Sequence, residues 1–252
     1  MTENSRIALV TGANQGIGLQ IATDLAASGL TVLLASRNLD RGTTAAQSID
    51  GDVHPIQLDV TDPASIRAAV AQVEQQFGRL DVLVNNAAIS RANGSKGETM
   101  QEYIPRSRAT LISVDEVRTI WETNVFGVLA VTQAFVPLLR QSKDARIVNV
   151  SSSAGSLTVN AAPHPHRAIF NPGYAASKTA LNAVTLAFAI DLEAEGIKVN
   201  AVTPGFTSTA LNNYEGTETV QQGAAEAVRV ALLGSDGPTG TFTTSINETV
   251  PW

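Results

Sequence analysis

Short runs of apolar residues alternate with longer amphipathic stretches along the whole chain. The short runs predict strands at residues 7–10, 31–35, 53–58, 81–84, 146–150, 198–202 and 239–243. Most are nearly continuous Val, Ile, Leu and Ala, the mark of parallel strands covered on both faces. Between them, helical periodicity covers residues 16–28, 39–48, 63–77, 114–139, 174–195 and 219–233. Asp62-Pro63 supplies an N-cap followed by proline at the first helical position. Ser113-Val-Asp-Glu116 has the spacing of a capping box, and Gly29 and Gly78 stand where helices should end. Strand–helix–strand repetition of this kind dictates a doubly wound α/β fold, a parallel sheet with helices on both faces. No composition break or internal repeat divides it, so residues 1–252 read as one domain. Residues 90–112 and 154–173 carry no strong pattern and are expected to be loops above the sheet.

Composition narrows the function. Of 252 residues, 44% are hydrophobic and 16% charged, a balance that belongs to a folded globular chain. Seventeen Lys and Arg against 23 Asp and Glu leave a net charge of −6 without a dense basic block, which speaks against nucleic acid as a partner. No stretch reaches the ~18 apolar residues of a spanning helix. Residues 1–6 run directly into the first apolar segment, with no room for a signal peptide. The expectation is a soluble cytoplasmic protein with no membrane partner. Without cysteine there is no disulfide, thiolate nucleophile or thiolate metal ligand. His164-Pro-His166 lacks an adjacent acid and reads as a solvated turn, so no metal site is expected.

Chemistry enters after the first strand. In Val10-Thr-Gly-Ala-Asn-Gln-Gly-Ile-Gly18, Gly12, Gly16 and Gly18 permit a tight turn and close approach of a ligand, and the following helix N-terminus offers free N–H groups to an anion. The second strand ends Leu34-Ala-Ser-Arg-Asn38. In dinucleotide folds a carboxylate at that point binds the ribose 2′-OH of NAD, whereas an arginine accommodates the 2′-phosphate of NADP. Here Arg37 stands there, with Ser36 able to add a hydroxyl, and no acid does. The spacing of Tyr174 and Lys178 puts a phenol and an ammonium on one helix face. A nearby ammonium favours the phenolate and should draw the tyrosine down from its usual value near 10 toward working pH. The strand at 146–150 ends in a run of hydroxyls, Ser151-Ser-Ser153, at the sheet edge where α/β folds bind ligands.

With these motifs in this order, the chain resembles the short-chain dehydrogenase/reductase family over its whole length. Thr11-Gly12-Ala-Asn14-Gln15-Gly16-Ile17-Gly18 is similar to the family's phosphate turn, Asp59-Val60 to its adenine-contacting pair, and Asn85-Asn86-Ala87-Ala88 to its N-N-A-G stretch. Asn124, Ser152, Tyr174 and Lys178 match its catalytic tetrad. Thr203-Pro204-Gly205-Phe-Thr207-Ser-Thr209 resembles the stretch that meets the nicotinamide carboxamide. The resemblance implies a Rossmann-like fold and hydride transfer from NADP(H) to a carbonyl. Tyr174 would protonate the oxygen, Ser152 would hydrogen-bond it, Lys178 would hold the ribose, and Asn124 would anchor a water reaching Lys178. The cofactor would be held by residues 12 and 14–18, by Ser36, Arg37 and Asn38, by Asp59 and Val60, by residues 86–88, by Tyr174 and Lys178, and by Pro204, Gly205, Thr207 and Thr209.

Within the family, the stretch after Pro204-Gly205 and the C-terminal residues resemble the carbonyl-reductase branch, which reduces ketones, aldehydes and quinones. The chain departs from the family pattern at Ala88, where glycine is usual, and at Gln15, where NADP users often carry a base. It is also longer than usual before Asn124 and between Ser152 and Tyr174. The loops at about 90–112, 154–173 and 206–217 are expected to shape the substrate entrance, with Phe170, Phe206, Leu211 and Tyr214 as wall residues. Two other readings are a catalytically silent dinucleotide-binding module and a β-ketoacyl-carrier-protein reductase. The presence of Ser152, Tyr174 and Lys178 together speaks against the first and the net negative charge against the second. Family members commonly pair through the helices that correspond to 114–139 and 174–195, which suggests a homodimer or homotetramer.

Overall fold

A computed structural model describes residues 5–92, 98–165 and 167–252, apart from the side chain of Ile246. Eight strands form one sheet: β1 (Ile7–Thr11), β2 (Thr31–Ser36), β3 (Val53–Gln57), β4 (Val82–Asn85), β5 (Arg146–Val150), β6 (Lys198–Val202), β7 (Phe242–Thr244) and β8 (Glu248–Thr249). Their order is β3-β2-β1-β4-β5-β6-β7-β8, parallel except for β8. The order reverses between β1 and β4, so the loops leaving those two strands diverge and open a crevice at the carboxyl edge. This is the doubly wound, Rossmann-like arrangement that the sequence pattern predicts.

Side chains alternate across the sheet. Leu9, Leu33, Leu83, Ile147 and Val199 project to one face and Ala8, Val10, Val32, Leu34 and Val148 to the other. The first face is covered by α3 (Pro63–Phe77) and by a long continuous helix, α5 (Val114–Trp121), a π-helical turn (Glu122–Gly127) and α6 (Val128–Leu139). α8 (Tyr174–Asp191) completes that layer. The second face is covered by α1 (Gly16–Ala27), α2 (Leu39–Ala46) and α9 (Val220–Ala231). A buried polar ladder crosses the sheet centre. Asn85 Nδ2 donates to Asn149 Oδ1 at 2.8 Å and to Thr132 of α6, and Asn149 Nδ2 donates to Thr185 of α8 at 2.8 Å. An unpaired amide at this depth would be costly, so the ladder fixes how α6 and α8 sit on β4 and β5.

Several expectations need correction. Residues 90–112 and 154–173 are not plain loops. The first contains α4 (Met100–Arg106), started by a Thr99/Glu102 capping box, and the second contains α7 (Leu157–Ala161). Neither is long enough to show a periodic pattern in sequence. Ser113 caps α5 at the Glu116 N–H, but the Glu116 side chain does not return to close a box. It is buried against Tyr103 and Arg106. Near the C-terminus, the strand expected at 239–243 begins only at Phe242. Ahead of it, residues 239–241 meet β6 through side-chain bonds of Thr239 with Val199 and of Asn200 with Thr241, and through backbone bonds from Gly240 to Val199 O and from Ala201 to Thr241 O. Finally, Val114–Leu139 does pass the length and apolarity of a spanning helix, which the sequence reading denied. Its apolar window is 56% buried in the protein itself, because Val131, Phe135 and Leu139 belong to the core.

Phe135 is fully buried on the face that joins α6 to the sheet. Phe135→Ala should lower unfolding free energy by about 3–5 kcal/mol, read as a lower urea midpoint at unchanged m-value.

Candidate active site

The turn after β1 and the exit of β4 are stitched together. Thr11 Oγ1 donates to Val84 O and accepts the N–H groups of Asn86 and Ala87 at 2.9 and 3.0 Å. Asn86 Nδ2 returns to the carbonyls of Thr11 and Gly12. A Cβ on Gly18 would lie 2.4 Å from Asn86 Nδ2 and 2.7 Å from Gly12 O, so only glycine lets α1 begin this close to the turn. Gln15 is extended at the N-cap, caps nothing with its side chain, and no acid occupies the first turn of α1. The positive end of a three-turn helix is left facing the crevice.

That crevice is a cleft of about 700 Å³. Its walls gather most of the residues expected at a cofactor: Gly12, Asn14, Gln15, Gly16, Ile17 and Gly18 from the turn, Ser36, Arg37 and Asn38 from β2, Asp59 and Val60, Asn86, Ala87 and Ala88, and Thr209. Asp59 is the only acid on the walls, against Arg37, Arg41 and Arg91. Arg91 is engaged by Glu98. The guanidinium groups of Arg37 and Arg41 have no hydrogen bond or ion pair among the described residues. Arg41 escaped the sequence reading, although it stands one helical turn beyond Arg37, behind the N-cap Asn38. Ser36 is less available than expected. It is buried, its hydroxyl donates to Asn14 Oδ1 at 3.2 Å, and it accepts the Asn38 N–H. It therefore shapes the β2 exit from beneath.

Tyr174, Lys178, Pro204, Gly205 and Thr207 do not form part of the cleft wall. Thr207 is buried with its hydroxyl donated to Pro204 O, which leaves Ser208 and Thr209 as the members of that stretch on the wall. Of the four expected substrate-side residues, Leu211 and Tyr214 line the cleft. Phe206 is half exposed outside it, and Phe170 lies elsewhere on the second loop. His166 lies outside the described residues, so the histidine pair has no geometry to report. Among the described residues no cluster of three metal-ligating acids or histidines occurs.

Ser152, Tyr174 and Lys178 converge at the end of β5. A Cβ on Gly155 would lie 2.6 Å from the Lys178 carbonyl carbon and 2.8 Å from its Cβ. This glycine, a second residue that sequence reasoning did not single out, lets the segment after β5 cross α8 in direct contact. The crossing sets the Ser152 hydroxyl beside the Tyr174 phenol. Lys178 is buried, donates from Nζ to Val150 O at 2.8 Å, and lies 5.7 Å from the centre of the Tyr174 ring.

The electrostatics correct the sequence expectation. Burial pushes the Tyr174 phenol up to about 12, with the Ser152 hydrogen bond pulling the other way. Burial likewise pulls Lys178 down to about 7. Desolvation penalises both charged forms at once. An amine that loses its charge near neutrality exerts little pull on its neighbour, so the phenol stays protonated.

Asn124 sits in the π-helical turn, fully buried. Its Oδ1 accepts the Ile89 N–H, while Nδ2 donates to Ile89 O and to Ser177 Oγ, all at 2.9–3.0 Å. Ser177 in turn donates to Tyr174 O at 2.6 Å. The Asn124 side chain is thus spent tying the β4 exit to α8 rather than aimed at Lys178.

The family model described as short chain dehydrogenase matches residues 6–220. The chain is 33% identical over 286 residues to (+)-neomenthol dehydrogenase of Arabidopsis thaliana, covering 95% of this chain and 96% of that one. Its fold superposes on salutaridine reductase from Papaver somniferum with a TM-score of 0.79 at 30% identity, covering 95% and 99% of the two chains. It also superposes on a gluconate 5-dehydrogenase from Burkholderia cenocepacia in complex with NADP and tartrate, with a TM-score of 0.78 at 26% identity and 96% and 92% coverage. With that match running from β1 to the start of α9, on a doubly wound sheet that carries the glycine turn, this chain belongs to the short-chain dehydrogenase family of oxidoreductases.

Proposed function

We propose that this chain is an NADP(H)-dependent reductase that converts the carbonyl of a ketone, aldehyde or quinone to an alcohol, with Tyr174 as proton donor. The observation that carries this reading is the convergence of Ser152, Tyr174 and Lys178 at the carboxyl edge of β5. The names of the relatives, a reductase and two dehydrogenases, support a redox reaction at a carbonyl or alcohol carbon.

The cleft fits a dinucleotide. The close approach at Gly18 leaves backbone N–H groups where a pyrophosphate would lie, and Arg37 with Arg41 offers two free guanidiniums to a ribose 2′-phosphate. The complex of the gluconate dehydrogenase relative with NADP supports the same preference. A bound nicotinamide would supply the hydride. The chain's own residues handle the oxygen. As negative charge develops there, Tyr174 donates its proton and Ser152 donates a second hydrogen bond, both from positions fixed before substrate arrives. The high pKa of Tyr174 keeps the donor loaded at neutral pH. Losing that proton becomes favourable when Lys178 is cationic beside it.

Three outcomes follow. Tyr174→Phe should lower kcat by about 10²–10⁴-fold, measured as NADPH oxidation at 340 nm over a panel of aldehydes, ketones and quinones, while NADPH affinity stays within a few-fold. Equal turnover by both proteins would remove the mechanism. Arg37→Ala combined with Arg41→Ala should weaken NADPH binding by about 10²-fold or more, since each charge-assisted bond is worth about 1.5–3 kcal/mol. NADH binding, titrated by fluorescence, should be unaffected. Lys178 gives a stability signature in the unliganded protein. Its folded value near 7 lies below the ordinary 10.5, so between these values the unfolded chain binds more protons and stability rises with pH. Relative to Lys178→Met, wild-type Tm should therefore climb between pH 7 and 9. A constant difference would mean that the ammonium is not depressed.

A further inference from the structure

Tyr174 stands at the first position of α8, where helices fray because their leading N–H groups have no partner inside the helix. The residue before it, Gly173, has φ −74° and ψ −93° and supplies no side-chain cap. Residues 153–173, which separate Tyr174 from Ser152, hold only short helical turns. The contact between Gly155 and Lys178 fixes α8 one turn further on, and the start of the helix needs its own anchor.

Two side chains provide it. Asn171, 7% exposed, accepts the Tyr174 N–H on Oδ1 at 2.9 Å, while its backbone carbonyl accepts the Ala176 N–H at 3.0 Å. It therefore caps α8 in the place that Gly173 leaves open. Its Nδ2 donates to Ile169 O at 3.0 Å, so the amide is engaged at both ends. Trp121, the last residue of α5, donates from Nε1 to Pro172 O at 3.0 Å. Between these two bonds Gly173 is closely packed, since a Cβ there would lie 2.9 Å from Ile120 Cδ1 and 3.1 Å from Ile112 Cδ1. Three positions after Trp121, Asn124 bonds Ser177, whose hydroxyl donates to Tyr174 O. One continuous helix thus brackets Tyr174, holding the chain ahead of it at Pro172 and behind it at Ser177.

On the reading of Tyr174 as proton donor, we propose that Asn171 and Trp121 are positioning residues for that donation: together they pin the end of the 154–173 segment to α5 and present the phenol at a fixed place beside Ser152. Neither residue lines the dinucleotide cleft, so both act through Tyr174. Loss of either bond loosens the first turn of α8 without releasing Lys178, which Gly155 and Val150 O hold separately. A displaced donor costs turnover and leaves binding alone.

The test compares wild type with Trp121→Phe, Asn171→Ala and Asn171→Asp. NADPH oxidation with a ketone is followed in ordinary and heavy water, together with amide hydrogen exchange over residues 171–178. Trp121→Phe keeps a ring and removes the donor, and Asn171→Asp keeps the accepting oxygen. Trp121→Phe and Asn171→Ala should each lower kcat by about tenfold, and by about 10²-fold when combined, with KM for the carbonyl and NADPH affinity within about twofold of wild type. The solvent isotope effect on kcat should rise in both, because a misplaced phenol slows proton transfer, whereas partial unfolding would lower the active fraction equally in both solvents. Exchange should quicken at residues 171–178 and stay slow in β5 and β6. Asn171→Asp should return kcat and exchange close to the wild-type values. Wild-type kcat and isotope effect in both Trp121→Phe and Asn171→Ala, or equal losses in Asn171→Ala and Asn171→Asp, would overturn the proposal. A wild type that reduces no carbonyl would defeat the reading of Tyr174 as donor instead, and exchange at residues 171–178 would still decide whether Asn171 and Trp121 hold the helix start.

Discussion

Contact between two backbones, the segment leaving β5 and the first turns of α8, makes everything else at the site possible. Gly155 lies so close to Lys178 that a single methyl group would separate them. Because of that crossing, the Ser152 hydroxyl meets the Tyr174 phenol and the Lys178 ammonium reaches the last carbonyl of β5. The same intimacy removes both titratable groups from water, and desolvation then dominates their behaviour. The phenol and the amine are thus each driven toward the neutral form.

The sheet places that pair. Reversal of strand order between β1 and β4 opens the crevice. The polar ladder from Asn85 through Asn149 to Thr185 sets the height of α8 over β5. Asn124 then ties the β4 exit to Ser177, one turn into α8. Glycine turn, α8 and β4 exit are thus one hydrogen-bonded frame, and errors in placing one element would propagate to the others. In the proposed reading, backbone and arginine groups along the cleft would serve the anion-binding end, while the hydroxyls and buried amine at the end of β5 would serve the reacting end.

Much of this was legible in sequence, and the failures have physical causes. Continuous apolar strands and capped helices gave most of the elements, with the same bounds for Arg146–Val150, Pro63–Phe77 and Lys198–Val202, because those segments are buried on fixed periods. The glycine turn and the Tyr174/Lys178 spacing are local geometry and could be read directly. Arg41 was missed because its relation to Arg37 depends on where α2 begins. Gly155 was missed because its partner is 23 residues away and only the fold brings them together. The direction of the Tyr174 shift was misjudged for a similar reason. Spacing shows that an ammonium is near, but only packing shows that water is excluded from both groups. α4 and α7 are too short to announce themselves, and their stability comes from capping and ion pairs instead.

The most direct measurement is the fate of a label. A ketone is reduced by the wild-type protein in ordinary water, using NADPH carrying deuterium at both C4 positions, and the alcohol is examined by mass spectrometry. Carbonyl reduction at this site predicts one deuterium on the carbinol carbon in every product molecule, with the hydroxyl proton coming through Tyr174 and exchanging with water. Product formed without deuterium on that carbon would contradict hydride transfer from the dinucleotide cleft and with it the account given of Ser152, Tyr174 and Lys178.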